Sequence, residues 1–272
     1  MKRRLLTLLL AALLLGAGGQ AARAAAETPP RPSARALARA ALLEKEEGEL
    51  LDDLAFGRVP AGEAVAPSWF DDAAFVGDSV SVMLEYYNTS ARPLGNAAFF
   101  CAESLSPRNA LAAQAGSQRL PEWPKGSGER PLLSEGIAAS GAGKVYIMLG
   151  MNSIAGGLDN AASDLVTLVD LIRRDSPQAV ILLQSVTPMT ADSPRADDTL
   201  NNWTIWQYNL RLADLCRERG WYFVDVAQAM RDENGTLRAD YSGDKAMGIH
   251  LNFAGAAAWA DYLAAHVPDA LR

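Results

Sequence analysis

The chain has 272 residues, 49% of them hydrophobic, and carries 32 acidic and 25 basic side chains for a formal net charge of -7. This length and hydrophobic content suffice for the core of one α/β domain, and an acidic surface without basic runs argues against nucleic acid or an anionic membrane as partner. Two histidines and two cysteines without paired Cys/His spacing leave little for a transition-metal site, so we expect neither a metal nor another cofactor.

The first residues have the pattern of an export signal. Basic residues at positions 2–4 precede an apolar run over 5–16, and small residues then lead to an A-x-A site near Ala22–Ala24. The run is short for a stable membrane span, so a cleaved signal peptide over 1–24 is favoured over an uncleaved anchor. Cleavage would remove four basic residues and no acid, moving the net charge from -7 to -11. We expect an exported protein, periplasmic or secreted, without stable membrane insertion.

Residues 25–69 are predicted to form a Pro-rich linker and an N-terminal helix. The stretch AAETPPRPS, residues 25–33, is typical of a linker. The following ARALARAALLEKEEGELLDDLAF has a helical composition and ends near Gly57. We expect this helix to serve in packing or spacing, and the main domain to cover residues 70–272.

Strands and helices alternate from residue 70 onward. Short apolar runs predict strands at 74–78, 97–102, 144–149, 179–186 and 221–226. Helical stretches are predicted at 80–88, about 107–115, 160–174, 202–219 and 253–267. Continuously apolar strands separated by helices predict a parallel sheet that is covered on both faces. In such sheets ligands bind at the carboxyl ends of the strands.

The two cysteines are predicted to be unpaired. Cys101 ends a predicted strand, and Cys216 lies within a predicted helix. Export would permit a disulfide, but two buried free thiols are favoured because free cysteine is among the most buried residue types.

The segment FVGDSV, residues 75–80, places a serine where a hydrophobic strand turns into a helix. Ser79 would lie at the helix N-terminus, where backbone N–H groups point outward. Such a position suits an N-cap serine, and it also suits a nucleophile whose attack creates an oxyanion. Gly77 would permit the turn, and Asp78 would tie it to neighbouring backbone without a chemical role.

A serine nucleophile needs a general base, and the chain offers two histidines. His266 lies near the end of the last helix, where a histidine is usually solvated or favoured by the helix dipole. His250, in MGIHLN, shares the expected sheet edge with Ser79 and is therefore the favoured base. Asn152, in IMLGMNSI, presents an amide at the same edge, either as an oxyanion donor or as an ordinary turn residue.

The order GDS after the first strand, G-x-N after the third and a histidine before the last helix resembles the SGNH, or GDSL-like, hydrolase superfamily over about residues 70–267. Segments such as MLGMN, SVTPMT, GWYFVDV and MGIHLN are similar to those of an exported bacterial branch. The resemblance implies a flavodoxin-like three-layer α/β/α sandwich with a mostly parallel five-stranded sheet. It implies Ser79 as nucleophile, His250 as base, and the Ser79 N–H and Asn152 side chain as oxyanion donors. The G-x-S-x-G motif of α/β-hydrolases does not occur.

Two positions depart from the superfamily pattern. An aspartate usually stands three residues before the histidine, where this chain has Met247, and the nearest carboxylate is Asp244. Because a six-residue separation that contains Gly248 and follows Gly243 does not hold a carboxylate on the imidazole, a Ser–His dyad is favoured over a triad completed by Asp244. Glu103 and Ser104 stand where a glycine is expected after the second strand, and their backbone N–H groups could still complete the oxyanion hole.

These observations predict an exported esterase that removes an acyl group, with O-acetyl as first candidate, from an envelope or environmental polysaccharide through an acyl-enzyme. The segment TPMTADSPRADDTLNNWTIW would line the cleft, with Trp203 and Trp206 stacking on sugar rings or packing the helix. Two alternatives are a lipase or thioesterase, and a non-catalytic relative that binds a glycan or helps assemble the envelope. The expected partner is the ester substrate, and no oligomeric state is indicated.

Overall fold

The computed structural model describes residues 58–272. The predicted signal peptide and N-terminal helix therefore lie outside the described residues. Within residues 58–272, no helix combines the length and the apolar character that a membrane crossing requires.

Five parallel strands form a single sheet, and each lies close to a predicted apolar run. The strands are β1 (Ala73–Gly77), β2 (Ala98–Cys101), β3 (Lys144–Met148), β4 (Val180–Gln184) and β5 (Tyr222–Val224). Their order in the sheet is β2-β1-β3-β4-β5, and every pairing is parallel. This is the flavodoxin-like order, which confirms the predicted fold and makes the sheet entirely parallel.

Helices follow the strands and cover the sheet. They are α1 (Ser79–Ala91), α2 (Pro107–Ala112), α3 (Leu133–Ser140), α4 (Leu158–Asp175), α5 (Asn202–Arg219), α6 (Ala227–Met230) and α7 (Phe253–Ala265). Shorter 3-10 turns lie at Pro67–Phe70, Ile154–Gly156 and Asp269–Leu271. The short helices α3 and α6 were not predicted, because helices of this length depend on packing and leave little periodic signal.

Side chains alternate along the strands and build a core on each face of the sheet. Val76 and Ile147 pack on the face covered by α2, α3, α4 and α5. Phe75 and Tyr146 pack on the other face, against α1 and α7. Burial on both faces explains why the strands are apolar throughout rather than alternating with polar residues.

Residues 58–69, assigned above to the linker and helix segment, contribute to this packing. The Val59 N–H donates to the Phe223 carbonyl at 2.9 Å, and the Val59 side chain is buried in the core beside α7. Arg58 forms a parallel bridge with Phe223 at the edge strand β5. The packed domain thus begins before the predicted boundary at residue 70, since an irregular segment can still cover an exposed sheet edge.

Both cysteines are buried free thiols, which confirms that prediction. Cys101 belongs to the core on the α1 and α7 side, and Cys216 belongs to the core on the opposite face. Burial raises the pKa of both thiols, to about 12 for Cys216. Neither is therefore a reactive thiolate at neutral pH.

The strand order places the carboxyl ends of β1 and β3 next to each other. From β1 the chain moves outward to β2, and it then returns past β1 to form β3. A reversal of this kind leaves a crevice at the carboxyl ends of the two strands, where open α/β sheets bind ligands. Ser79 follows β1 and Asn152 follows β3, so the fold places both residues at this crevice.

Candidate active site

Ser79 is the first residue of α1 and directly follows the end of β1. Asp78 is the N-cap of this helix, and its side chain accepts a hydrogen bond from the Val80 N–H at 3.0 Å. A Cβ on Gly77 would lie 1.9 Å from Ser81 Oγ, so only glycine allows the helix to start this close to the strand. Because Asp78 caps the helix, the half-buried Ser79 hydroxyl is available for another role.

His250 contacts the Ser79 hydroxyl. The distance between His250 Nε2 and Ser79 Oγ is 3.0 Å. Since α1 and α7 pack together, the segment that precedes α7 lies beside the start of α1. The His250 side chain is 24% exposed, so a ligand in the crevice could reach it. The pair has the geometry in which an imidazole accepts a hydroxyl proton and activates the oxygen for attack.

Asp244 completes this chain of contacts by bonding His250 Nδ1 through its Oδ2. Partial burial opposes its ionisation, but hydrogen bonds from His250 and from the Gly248 and Met247 N–H groups hold the pKa of Asp244 below its usual value. An ionised carboxylate only accepts, so Nδ1 carries the proton and Nε2 is left to accept from Ser79. The preference for a Ser–His dyad is therefore wrong, because the carboxylate reaches the imidazole.

Asp244 reaches the ring because the histidine loop, residues 244–250, turns back on its first residue. Asp244 Oδ1 accepts from the Met247 N–H at 3.1 Å and from the Gly248 N–H. Gly248 has a φ of 67°, a left-handed value that favours glycine and ends the turn. Sequence reasoning missed this contact, although an aspartate four residues before a glycine is a signal for such a side-chain-capped turn.

Asn152 lies at the crevice, where both N–H groups of its amide can be engaged. Its Nδ2 is 3.2 Å from Asp78 Oδ2 and 3.3 Å from the Leu105 carbonyl oxygen. Both distances are at or beyond the long end of the N–H···O range. A stronger acceptor, such as an oxyanion, could replace one of these contacts. The role of Asn152 as an oxyanion donor stays a prediction.

Asp78 ties the turn to neighbouring backbone, as predicted, and it also contacts a second residue of the crevice. Its side chain is 1% exposed and contacts Asn152. Burial raises the pKa of Asp78 to about 6, against the opposing effects of the Val80 N–H, the His250 charge and the Asn152 amide. A buried carboxyl with a raised pKa thus directly precedes the candidate nucleophile in the chain, and ionisable groups with shifted pKa values are frequent at functional sites.

Glu103 and Ser104 form an exposed turn after β2. Ser104 has a φ of 56°, a left-handed value that fits the glycine expected at this point. Leu105 follows directly and offers its carbonyl to Asn152, so this turn adjoins the candidate site. The predicted donor role of the Glu103 and Ser104 N–H groups stays a prediction.

Trp203 and Trp206 stack on each other at the start of α5, with ring centroids 5.1 Å apart. Trp206 lines two neighbouring cavities together with Asn209 and Arg231. Neither cavity has Ser79 or the other residues of the candidate site among the described residues that line it. The binding of sugar rings by Trp203 and Trp206 stays a prediction.

His266, which was set aside as a base, is the C-cap of α7 and stacks on Tyr262. Burial lowers the pKa of His266, although its hydrogen bond to the Tyr262 carbonyl opposes this effect. His266 thus lies at the C-terminus of α7 and donates to a carbonyl of its last turn, as expected of a dipole-favoured histidine, although it is half-buried rather than solvated. Across residues 58–272, no group of three or more His, Cys, Asp or Glu side chains is arranged to hold a metal ion.

The model of the GDSL-like Lipase/Acylhydrolase family matches residues 75–258 of the chain, a range that includes Ser79, Asn152, Asp244 and His250. A search of curated proteins finds no match.

Several solved structures resemble the fold. A GDSL-like lipase from Bacteroides thetaiotaomicron is 16% identical, with 86% of this chain and 98% of that chain covered and a TM-score of 0.55. A protein from Bacteroides fragilis, provisionally described as an acylhydrolase, is 17% identical, with 74% and 88% covered and a TM-score of 0.55. A protein from Streptococcus pneumonia, provisionally described as a platelet activating factor, is 21% identical, with 86% and 99% covered and a TM-score of 0.54. At these identities the structures support the fold.

Proposed function

Because the chain belongs to the GDSL-like lipase/acylhydrolase family of ester-bond hydrolases, we propose that it is an exported serine esterase that removes short acyl groups from a carbohydrate or another envelope ester. Acetyl is the first candidate for the acyl group. The observation that carries the proposal is the continuous contact from Ser79 Oγ through His250 to Asp244.

The proposed reaction proceeds through an acyl-enzyme. Ser79 Oγ attacks the ester carbonyl while His250 Nε2 takes its proton, and Asp244 stabilises the imidazolium that forms. The oxyanion would face the Ser79 N–H at the start of α1 and the Asn152 amide. His250 then gives the proton to the leaving alkoxide. Water, deprotonated by His250, then attacks the acyl-enzyme, and His250 returns that proton to Ser79 Oγ as the acid is released.

Export and the carbohydrate substrate are proposed on separate grounds. The basic, apolar and small-residue pattern of residues 1–24 supports export. Ser79 and His250 are both partly exposed, which suits an ester carried on a bulky alcohol such as a polysaccharide. The stacked Trp203 and Trp206 near the carboxyl end of β4 would offer ring faces to sugars. N-terminal sequencing of the exported protein should find a start close to Ala24.

An exposed apolar surface favours a second candidate, a lipase for longer acyl chains. Phe253 follows His250 by three residues and is 53% exposed, and its ring lies 5.9 Å from that of Tyr87. Tyr86, in α1, is 60% exposed. Large exposed apolar side chains beside a candidate base could bind an acyl chain.

One substrate series separates these functions. p-Nitrophenyl esters from acetate to dodecanoate would be compared with acetate release from an O-acetylated polysaccharide, using the full chain and Ser79→Ala. We expect the highest kcat/KM on the acetate ester, acetate release from the polysaccharide, and neither activity in Ser79→Ala. A preference for long acyl chains would favour the lipase. Glycan binding without hydrolysis of any ester would favour the non-catalytic relative.

A further inference from the structure

The histidine loop is joined to the loop between β4 and α5, which covers residues 185–201. The Ser193 hydroxyl donates to the Met247 carbonyl. The Thr190 N–H donates to the Gly248 carbonyl at 2.8 Å. Ser193 is 7% exposed, so this connection is shielded from water, which would otherwise compete for its hydrogen bonds.

The peptide group between Met247 and Gly248 is held from two sides. Its N–H donates to Asp244 Oδ1, and its C=O accepts from the Ser193 hydroxyl. The same Asp244 carboxylate bonds His250 through its other oxygen. A displacement of this peptide group would therefore move the carboxylate relative to the imidazole.

The two loops also pack without spare room at this point. A Cβ on Gly248 would lie 2.2 Å from Thr190 Oγ1 and 3.0 Å from Ser193 Cβ. The Ser193 hydroxyl accepts from the Arg195 N–H at 3.2 Å. Because a carbonyl oxygen can only accept, the Ser193 proton points to the Met247 carbonyl. The register between the two loops is thus set by both sterics and hydrogen bonds.

We propose that Ser193 is a positioning residue, whose hydrogen bond to the Met247 carbonyl keeps the Asp244 carboxylate on His250. The proposal rests on the proposed function, since it concerns how the same site is held together. It also explains how the chain maintains a carboxylate on the histidine although Met247 occupies the usual aspartate position. The loop that follows β4 then supports the general base.

Ser193→Ala in the full chain tests this role by kinetics. We expect kcat/KM on an ester that the wild type cleaves to fall roughly three- to tenfold, the effect of losing about one net hydrogen bond. The acidic limb of its pH profile should move to lower pH, as for Asp244→Asn, because the imidazolium loses part of its carboxylate partner. Ser134→Ala is the matched control, since it removes another buried hydroxyl, in α3, that bonds a carboxylate. It should leave the pH profile unchanged.

A double-mutant cycle separates positioning from general destabilisation. In the Asp244→Asn background, Ser193→Ala should have little further effect on kcat/KM, because the carboxylate that it positions is already gone. Equal losses in both backgrounds would overturn the proposal. A changed melting temperature with an unchanged pH profile would also overturn it, since Ser193 would then only stabilise the fold.

Proton NMR tests, without any substrate, whether Ser193 positions the Asp244 carboxylate on His250. The His250 Nδ1 proton should give a downfield resonance in the wild type, vanish in Asp244→Asn, and become weaker or faster-exchanging in Ser193→Ala. An unchanged resonance in Ser193→Ala would overturn the proposal even in an active enzyme. A wild type that cleaves no ester but shows this pattern would overturn the proposed function and still support the positioning role of Ser193.

Discussion

The turn that carries Ser79 and the histidine loop reach the same site by different means. In the turn, residues 77–79, the strand, the Asp78 cap and the helix are continuous in the chain, and the key hydrogen bond spans two residues. In the histidine loop, the carboxylate and the ring are aligned by a turn that Gly248 closes and by contacts from the loop after β4. The candidate nucleophile is therefore placed by local structure, whereas the candidate base depends on segments that are distant in sequence.

Removing either partner of the Ser79–His250 contact should have the largest effect. We expect Ser79→Ala and His250→Ala each to lower kcat by roughly 10⁴-fold or more, with the double variant little worse, because groups that act as one catalytic unit are not additive. Steady-state kinetics on a cleaved ester, together with melting temperatures, measure this. His266→Ala should be mild. Equal losses from the two histidines would remove the assignment of His250 as the base.

Asp244→Asn should come next and tests the tertiary arrangement of the histidine loop. We expect kcat/KM to fall by roughly 10³–10⁴-fold, as when the triad aspartate is neutralised in other serine hydrolases. The acidic limb of the kcat/KM profile should move to lower pH, because the imidazolium loses its negative partner.

Met247→Asp provides the matched comparison for Asp244. It should bring no gain in kcat/KM, because the imidazole Nδ1 already has a carboxylate partner. A nearly silent Asp244→Asn combined with a gain from Met247→Asp would restore the dyad interpretation.

Asn152→Ala tests the other side of the crevice and should have a smaller effect. Loss of one oxyanion donor costs about 10²–10³-fold in kcat, and the melting temperature should change little because the Asn152 side chain is exposed. A loss of activity accompanied by a collapse in melting temperature would instead indicate that Asn152 serves the turn.

The last and smallest expected effect is on stability. Asp78→Asn should change how the free energy of unfolding depends on pH. The pKa of Asp78 is raised from 3.8 to about 6, so the folded protein binds its proton more tightly than the unfolded chain does. The contribution of Asp78 to the free energy of unfolding therefore falls as the pH rises from about 4 to about 6. Relative to the wild type, Asp78→Asn should be more stable at pH 8 than at pH 4, by on the order of 1–3 kcal/mol. Thermal melts at both values measure this, and an equal difference at both would exclude the raised pKa of Asp78.

The amino-acid sequence by itself determined the main elements and the location of the candidate nucleophile. Strands such as β3 and helices such as α5 were predicted within a residue or two, because fully buried strands are continuously apolar and long helices are periodic. The Gly-Asp-Ser turn was predictable from these elements, because it lies where a predicted strand ends and a predicted helix begins.

Only the tertiary structure decided how the other groups meet. The Ser193–Met247 contact joins residues 54 positions apart, and the Ser79–His250 contact joins residues 171 positions apart. Sequence patterns that relate residues about four positions apart predict the helices and strands, and these were enough to choose His250 over His266. They do not predict that a carboxylate six residues away turns back onto the imidazole. The raised pKa of Asp78 likewise required burial, because only the folded chain removes its carboxylate from water.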